Sequence, residues 1–394
     1  AEADFDELKQ AGLLFAPEEK ARPVKSNEVK ALCLHICHDC NLRCKYCFAS
    51  TGDFGQGRKI MPPEIAKKAI DFVIARSGVR HNIEVDFFGG EPLMAWDTVT
   101  QTVDYARSLE EKHGKKFRFT ITTNGLLLDA DKRAYINENM DNVVLSLDGR
   151  PSVNDEFRKT VAGTGSYDTI VPKFKALVDE RDPNLDYYAR GTFTSHNLDF
   201  AEDVLSIADA GFDRLSVEPV TADPGCGYDL TEDDLPKIEA EYDRLTDIML
   251  ERKKAGKPFT FFHFMVDLDQ GPCVVKRLRG CGAGYEYVAV TPDGDIYPCH
   301  QFVGKEEFKQ GSVLDQSFDM DIAQKFAGMN IYSRPKCQKC WAKFYCSGGC
   351  SAANYNMNHD MNDSYDLGCE MERKRLECAI YLKAMDKICE EEAK

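Results

Sequence analysis

The residues most able to do chemistry are cysteines, sixteen of them, gathered largely in two stretches. The first is Cys40-x3-Cys44-x2-Cys47. Three thiolates so spaced hold three irons of a 4Fe–4S cube and leave the fourth iron open. An open iron suits chemistry, whereas a purely electron-carrying cluster closes every site. The second stretch holds Cys281, Cys299, Cys337-x2-Cys340-x5-Cys346-x3-Cys350 and Cys369. Such tight spacings are poor for disulfides, and the chain is long and opens with no signal-peptide pattern, so metal is the reading preferred over a disulfide framework. A zinc ribbon would use only four of the seven later cysteines. Iron–sulfur ligation implies a reducing, oxygen-poor setting.

These thiols need a scaffold that brings them together. Short β-branched or apolar runs at 31–36, 83–88, 117–122, 143–147, 188–194 and 214–218 read as strands. Amphipathic stretches at 62–77, 98–113, 129–138, 166–180 and 198–210 alternate with them. The fold class is therefore α/β, a partial (β/α)6 TIM-type barrel two strands short of closure. The Cys40–Cys47 run follows the first strand directly, at the end where βα barrels carry their active sites. A charged helical stretch runs from Glu232 to about Gly256. Beyond residue 265 the chain turns loop-rich, with one hairpin around Pro292-Asp293-Gly294 and a long helix near 369–391. So small an apolar core there requires metal to hold it.

Composition narrows the partners. With 66 acidic and 50 basic residues the formal charge is −16, which opposes phosphate backbones and argues against nucleic acid. No apolar run has the length of a membrane span, so no membrane is involved and a cytoplasmic location is expected. Cys33, Cys37, Cys226, Cys378 and Cys389 are read as structural.

The C-x3-C-x-aromatic-C run, with Tyr46 as the aromatic residue, resembles the signature of the radical S-adenosylmethionine (SAM) superfamily. That resemblance implies SAM chelated to the open iron and cleaved reductively to a 5′-deoxyadenosyl radical. Phe88-Gly89-Gly90-Glu91-Pro92 looks like the family's GGEP motif, with Glu91 accepting from the cofactor ammonium. Asn124 of Thr122-Thr123-Asn124-Gly125, Ser146 of Ser146-Leu147-Asp148-Gly149, and Arg190 would line the cofactor, Arg190 pairing with its carboxylate.

The later cysteines resemble the SPASM extension of radical enzymes that modify ribosomal peptides and proteins. By that resemblance Cys337, Cys340, Cys346 and Cys369 close one auxiliary 4Fe–4S cluster. Cys281, Cys299 and Cys350 hold the other, so three clusters are expected in all. The second set is one ligand short; either Cys273 supplies it or the site is open to a substrate thiolate, and the open site is favoured. The implied domains are an N-terminal segment at 1–30, read as a remnant of a leader-binding region, a radical SAM core at 31–256 and a SPASM domain at 257–394.

Segments 31–50 and 280–302 look most like maturases of SCIFF peptides, which join a cysteine sulfur to a carbon of another residue, often threonine. The resemblance implies a cysteine-rich precursor peptide as substrate and a flavodoxin or ferredoxin as electron donor. Sulfatase-type Ser/Cys oxidation, C–C linkage and epimerisation are the alternatives, with a non-catalytic electron carrier more remote. Where sulfatase-maturing enzymes carry an Asp base after the cysteine matching Cys299, this chain has His300. Asp293, His300 and Glu218 are the acid–base candidates.

Overall fold

The computed structural model describes residues 2–12, 14, 28–268 and 277–392. Six parallel strands, Ala31–His38, Asn82–Gly89, Lys116–Thr123, Asn142–Ser146, Asp186–Phe193 and Arg214–Pro219, lie side by side in chain order. Helices Pro63–Arg76, Trp96–His113, Ala130–Asn139, Tyr167–Asp179 and Phe200–Asp209 connect them. In the second strand Ile83, Val85 and Phe87 are fully buried against helices, while Asp86 and Phe88 face the other way. This period-two alternation commits the second set of side chains to the inner face of the curved sheet. The first strand is buried along its whole length, as expected of a central strand covered on both faces.

Local chemistry sets the boundaries. Asp129 accepts from Lys132 N and caps helix Ala130–Asn139. Gly114, in the left-handed region, closes helix Trp96–His113.

The later region extends the same sheet. Strand Tyr287–Val290 pairs in parallel with the first strand, Leu32 opposite Val288, and then turns into an antiparallel hairpin with Asp295–Tyr297. At the opposite edge Thr260–Phe261 pairs with the sixth strand, giving eleven strands in one sheet among the described residues. Helix Leu235–Lys254 packs against the final helix Asp366–Glu392, where Arg375 Nε donates to Tyr242 Oη at 2.9 Å and Lys374 pairs with Asp243 at 2.6 Å.

The apolar core of the cysteine-dense region is larger than its weak periodicity suggests. Tyr285, Tyr297, Phe302, Phe308 and Phe326 form one buried cluster with Ala49 and Phe54 from the loop after Cys47. These aromatics come singly from short segments, which leaves no repeating pattern to read. Among the described residues no helix is long and apolar enough to cross a membrane.

Candidate active site

The loop carrying Cys40, Cys44 and Cys47 is held from both sides. Leu42–Cys44 pairs antiparallel with Arg158–Thr160, a ladder joining segments far apart in sequence. On the other side, Gly90 N donates to Cys37 O at 2.7 Å and Glu91 N to Asp39 O at 2.9 Å. A Cβ on Gly90 would lie 2.0 Å from Asp39 O, and one on Gly89 2.3 Å from Cys37 O. The Gly-Gly pair therefore serves the close approach of the second strand's end to the cysteine loop.

Glu91 is 1% exposed and its carboxylate accepts from Leu93 N at 3.0 Å, Thr123 Oγ1 at 2.7 Å and Asn124 N at 2.8 Å. It ties the second strand's end to the third. Burial raises its pKa to about 7 against these hydrogen bonds. Asn124 extends the tie, with Nδ2 donating to Asn41 Oδ1 at 2.7 Å and lying 3.6 Å from Cys40 Sγ.

The three cysteines open on a cavity of about 260 Å³ together with Tyr46, Gly89, Gly90, Glu91, Asn124, Ser146 and Arg190. Every candidate cofactor residue thus lines one space. Arg158 also lines it and carried no motif in the sequence. Its guanidinium pairs with Asp148 at 2.9 Å, and Asp148 accepts from Tyr46 Oη at 2.6 Å. The aromatic residue of the cysteine run is thereby anchored to the end of the fourth strand.

The acid–base candidates separate. Glu218 lines the cavity in a two-pronged ion pair with Arg190, Nε to Oε1 at 2.9 Å. Burial would raise this carboxyl, but the guanidinium overrides it and holds the pKa at about 2. His300 also lines the cavity, and burial, aided by Arg190, lowers it to about 4, so its imidazole is neutral. Asp293 is not among the cavity residues; it sits half-exposed on the hairpin turn, paired with Lys59 at 2.5 Å.

Cys337, Cys340, Cys346 and Cys369 surround a second cavity of about 330 Å³. Cys281, Cys299 and Cys350 form a third neighbourhood: burial chiefly raises the thiols of Cys281 and Cys299, Cys350 adds to both, and Cys281 adds to Cys299. Cys281 and Cys350 are exposed and Cys299 buried. Buried Arg334 stands between the two later sets, beside Cys337, Cys346, Cys350 and Cys369, and donates to Gly348 O at 2.5 Å and Ser351 Oγ at 2.9 Å. Cys273 lies outside the described residues. Cys33, Cys37 and Cys378 are buried, whereas Cys226 and Cys389 are exposed and do not pack as small hydrophobes.

The donor chemistry suits iron–sulfur groups. Burial, with Glu91 nearby, pushes the Cys40 thiol up to about 12, and burial does the same for Cys44 and Cys346. Thiols so buried ionise only when a cationic centre offsets the charge, which is what such a group supplies. Among the described residues no three His, Cys, Asp or Glu side chains converge tightly enough for a single metal ion; the cysteines surround open volumes instead.

Comparison with known proteins agrees with this arrangement. Residues 34–189 match the radical SAM superfamily and residues 281–341 match the SPASM iron–sulfur cluster-binding domain. The chain is 24% identical over 354 residues to the cysteine-type anaerobic sulfatase-maturating enzyme of Clostridium novyi, spanning 84% of this chain and 90% of that protein. The structure of native anSMEcpe with bound AdoMet superposes at a TM-score of 0.73, with 19% identity over 91% of this chain and 99% of that one. Streptococcus suis SuiB bound to precursor peptide SuiA superposes at 0.61, with 17% identity over 93% of this chain and 87% of that one. These likenesses show a shared fold.

Proposed function

We propose that this chain, which belongs to the radical SAM superfamily and carries a SPASM iron–sulfur domain, installs thioether cross-links in a cysteine-rich ribosomal peptide. Its core is residues 31–256 and its SPASM domain residues 257–394. Cys40, Cys44 and Cys47 hold the catalytic 4Fe–4S group. Cys337, Cys340, Cys346 and Cys369 hold one auxiliary group, and Cys281, Cys299 and Cys350 the other. When bound, SAM and the iron–sulfur groups supply the radical and the electron acceptor. The chain's own residues position and exclude: Tyr46, Asp148 and Arg158 brace the catalytic loop, Glu91 and Asn124 lock it to two strand ends, and Ser146 and Arg190 face the cofactor.

The observation that carries the thioether reading is the exposure of Cys350 in a set of three described cysteines. A peptide thiolate can reach that set and complete it, and its sulfur would then sit ready to trap a carbon radical. SuiB, which shares the fold, was solved with a precursor peptide bound. Sulfatase-type oxidation is the second reading, favoured by the Clostridium novyi relative and by a neutral His300 able to accept a proton.

The test is anaerobic reconstitution with SAM, a reductant such as reduced flavodoxin, and a six-cysteine precursor peptide. Products are read by mass spectrometry after alkylation of free thiols. Loss of two hydrogens per event, each with one fewer alkylatable thiol, is the expected result. Cofactor cleavage with every thiol retained would refute thioether formation.

A further inference from the structure

A groove of about 530 Å³ continues from the catalytic cavity, sharing Cys47, Phe48, His300 and Gln301 with it. One wall is the loop after Cys47 and the other is helix Ser351–Asn358, which begins directly after Cys350. The groove thus runs from a catalytic cysteine past His300, the neighbour of Cys299, to the C-terminal half of that helix. Phe48, Tyr228 and Tyr355 give it aromatic surface.

Lys305 is the cation in this groove that lacks an ion pair. Its Nζ donates to Asn356 Oδ1 at 2.5 Å and lies 4.7 Å above the Tyr355 ring and 5.8 Å from the Phe302 ring. An ammonium has three protons to donate, and Asn356 takes one. Among the described residues no carboxylate forms an ion pair with it. Glu307, close in sequence, accepts from Tyr355 Oη at 2.9 Å, and Asp223 stands on the groove wall beyond pairing distance. Several exposed lysines pair with carboxylates, Lys59 with Asp293, Lys309 with Asp295 and Lys336 with Asp366, whereas Lys115 and Lys173, like Lys305, donate to neutral oxygens, theirs being backbone carbonyls away from the groove. Half-burial lowers the Lys305 pKa, so the charge is partly desolvated and an opposite charge brought to it gains more than one at the surface.

We propose that Lys305 reads a carboxylate side chain on the peptide substrate, carried by the stretch that lies between the Cys47 loop and helix Ser351–Asn358. The inference rests on the peptide-modifying reading above. It makes the substrate a peptide with Asp or Glu close to the modified residues.

The test uses two six-cysteine peptides bearing a neutral fluorophore, one with Glu and one with Gln at each acidic position. Their binding to the cluster-loaded enzyme is followed by fluorescence anisotropy under anaerobic conditions. The Glu peptide should bind about tenfold more tightly than the Gln peptide, the preference shrinking as salt rises. Lys305→Met should abolish the preference and Lys305→Arg should retain it. Equal binding of both peptides to the wild type, or a preference surviving in Lys305→Met, would overturn the assignment. Binding of neither peptide, in enzyme that still cleaves SAM, would instead refute the peptide-modifying reading and this inference with it.

Discussion

Replacing Gly90 by Ala isolates the contact between the second strand and the cysteine loop. The added Cβ would meet Asp39 O at 2.0 Å, Asp39 C at 2.5 Å and Gly52 O at 3.0 Å. All three are backbone atoms, so no side chain can swing aside; the loop itself must move. That motion breaks Gly90 N to Cys37 O and Glu91 N to Asp39 O, 2.7 and 2.9 Å in the native fold. Overpacking costs about 1–3 kcal/mol and each backbone hydrogen bond about 1 kcal/mol, so roughly 3–5 kcal/mol is expected. Gly55→Ala is the internal control. Its Cβ would meet nothing within 4 Å, and only its left-handed φ of +68° resists substitution, a cost of about 1–2 kcal/mol. Thermal unfolding followed by circular dichroism, at matched iron content, should place the Gly90→Ala Tm roughly 1–5 °C below that of Gly55→Ala, the difference of about 1–4 kcal/mol being spread over the unfolding entropy of a 394-residue chain. Equal Tm values would refute the argument that this glycine is required by packing.

Other consequences are testable in parallel. Thr51 is β-branched yet sits at φ 66°, ψ 19°; Thr51→Gly should therefore stabilise the protein by about 0.5–1 kcal/mol net of glycine's entropy, read from denaturant midpoints. Cys346→Ala should lower bound iron and sulfide by about one third if four cysteines close a single cluster in the second cavity; unchanged content would refute that ligand set. Glu218, held at about 2 against an ordinary 4.5, contributes stability that is present above pH 4.5 and lost as pH falls toward 2. Denaturant midpoints should thus fall less steeply over that window in Glu218→Gln than in the wild type.

Much of the scaffold is legible because its forces are local. The six core strands and five connecting helices lie within a few residues of the periodicity reading, since period-two and helical patterns follow directly from which face is buried. The hairpin at Pro292-Asp293-Gly294 follows from turn chemistry. The parallel pairing of Tyr287–Val290 with the first strand does not, because register between distant segments is set by packing rather than by either segment. Arg158 escaped notice for the same reason: three residues long, its strand has no period to detect, and its partner Cys44 lies far upstream.

Sequence alone supplied a three-cysteine run that leaves one iron open, because cysteine spacing limits what thiolates can hold, and its resemblance to the radical SAM signature implied the reaction class. That resemblance also named cofactor residues that line the cavity, though not Arg158. Only the tertiary structure decided their states. Arg190 is already engaged by Glu218, which leaves that carboxylate a weak base, and burial keeps His300 neutral. Asp293 is drawn away to Lys59, and Lys305 is left with a neutral partner in the groove. Spacing says which side chains arrive together; their charge and freedom depend on neighbours that only the folded chain supplies.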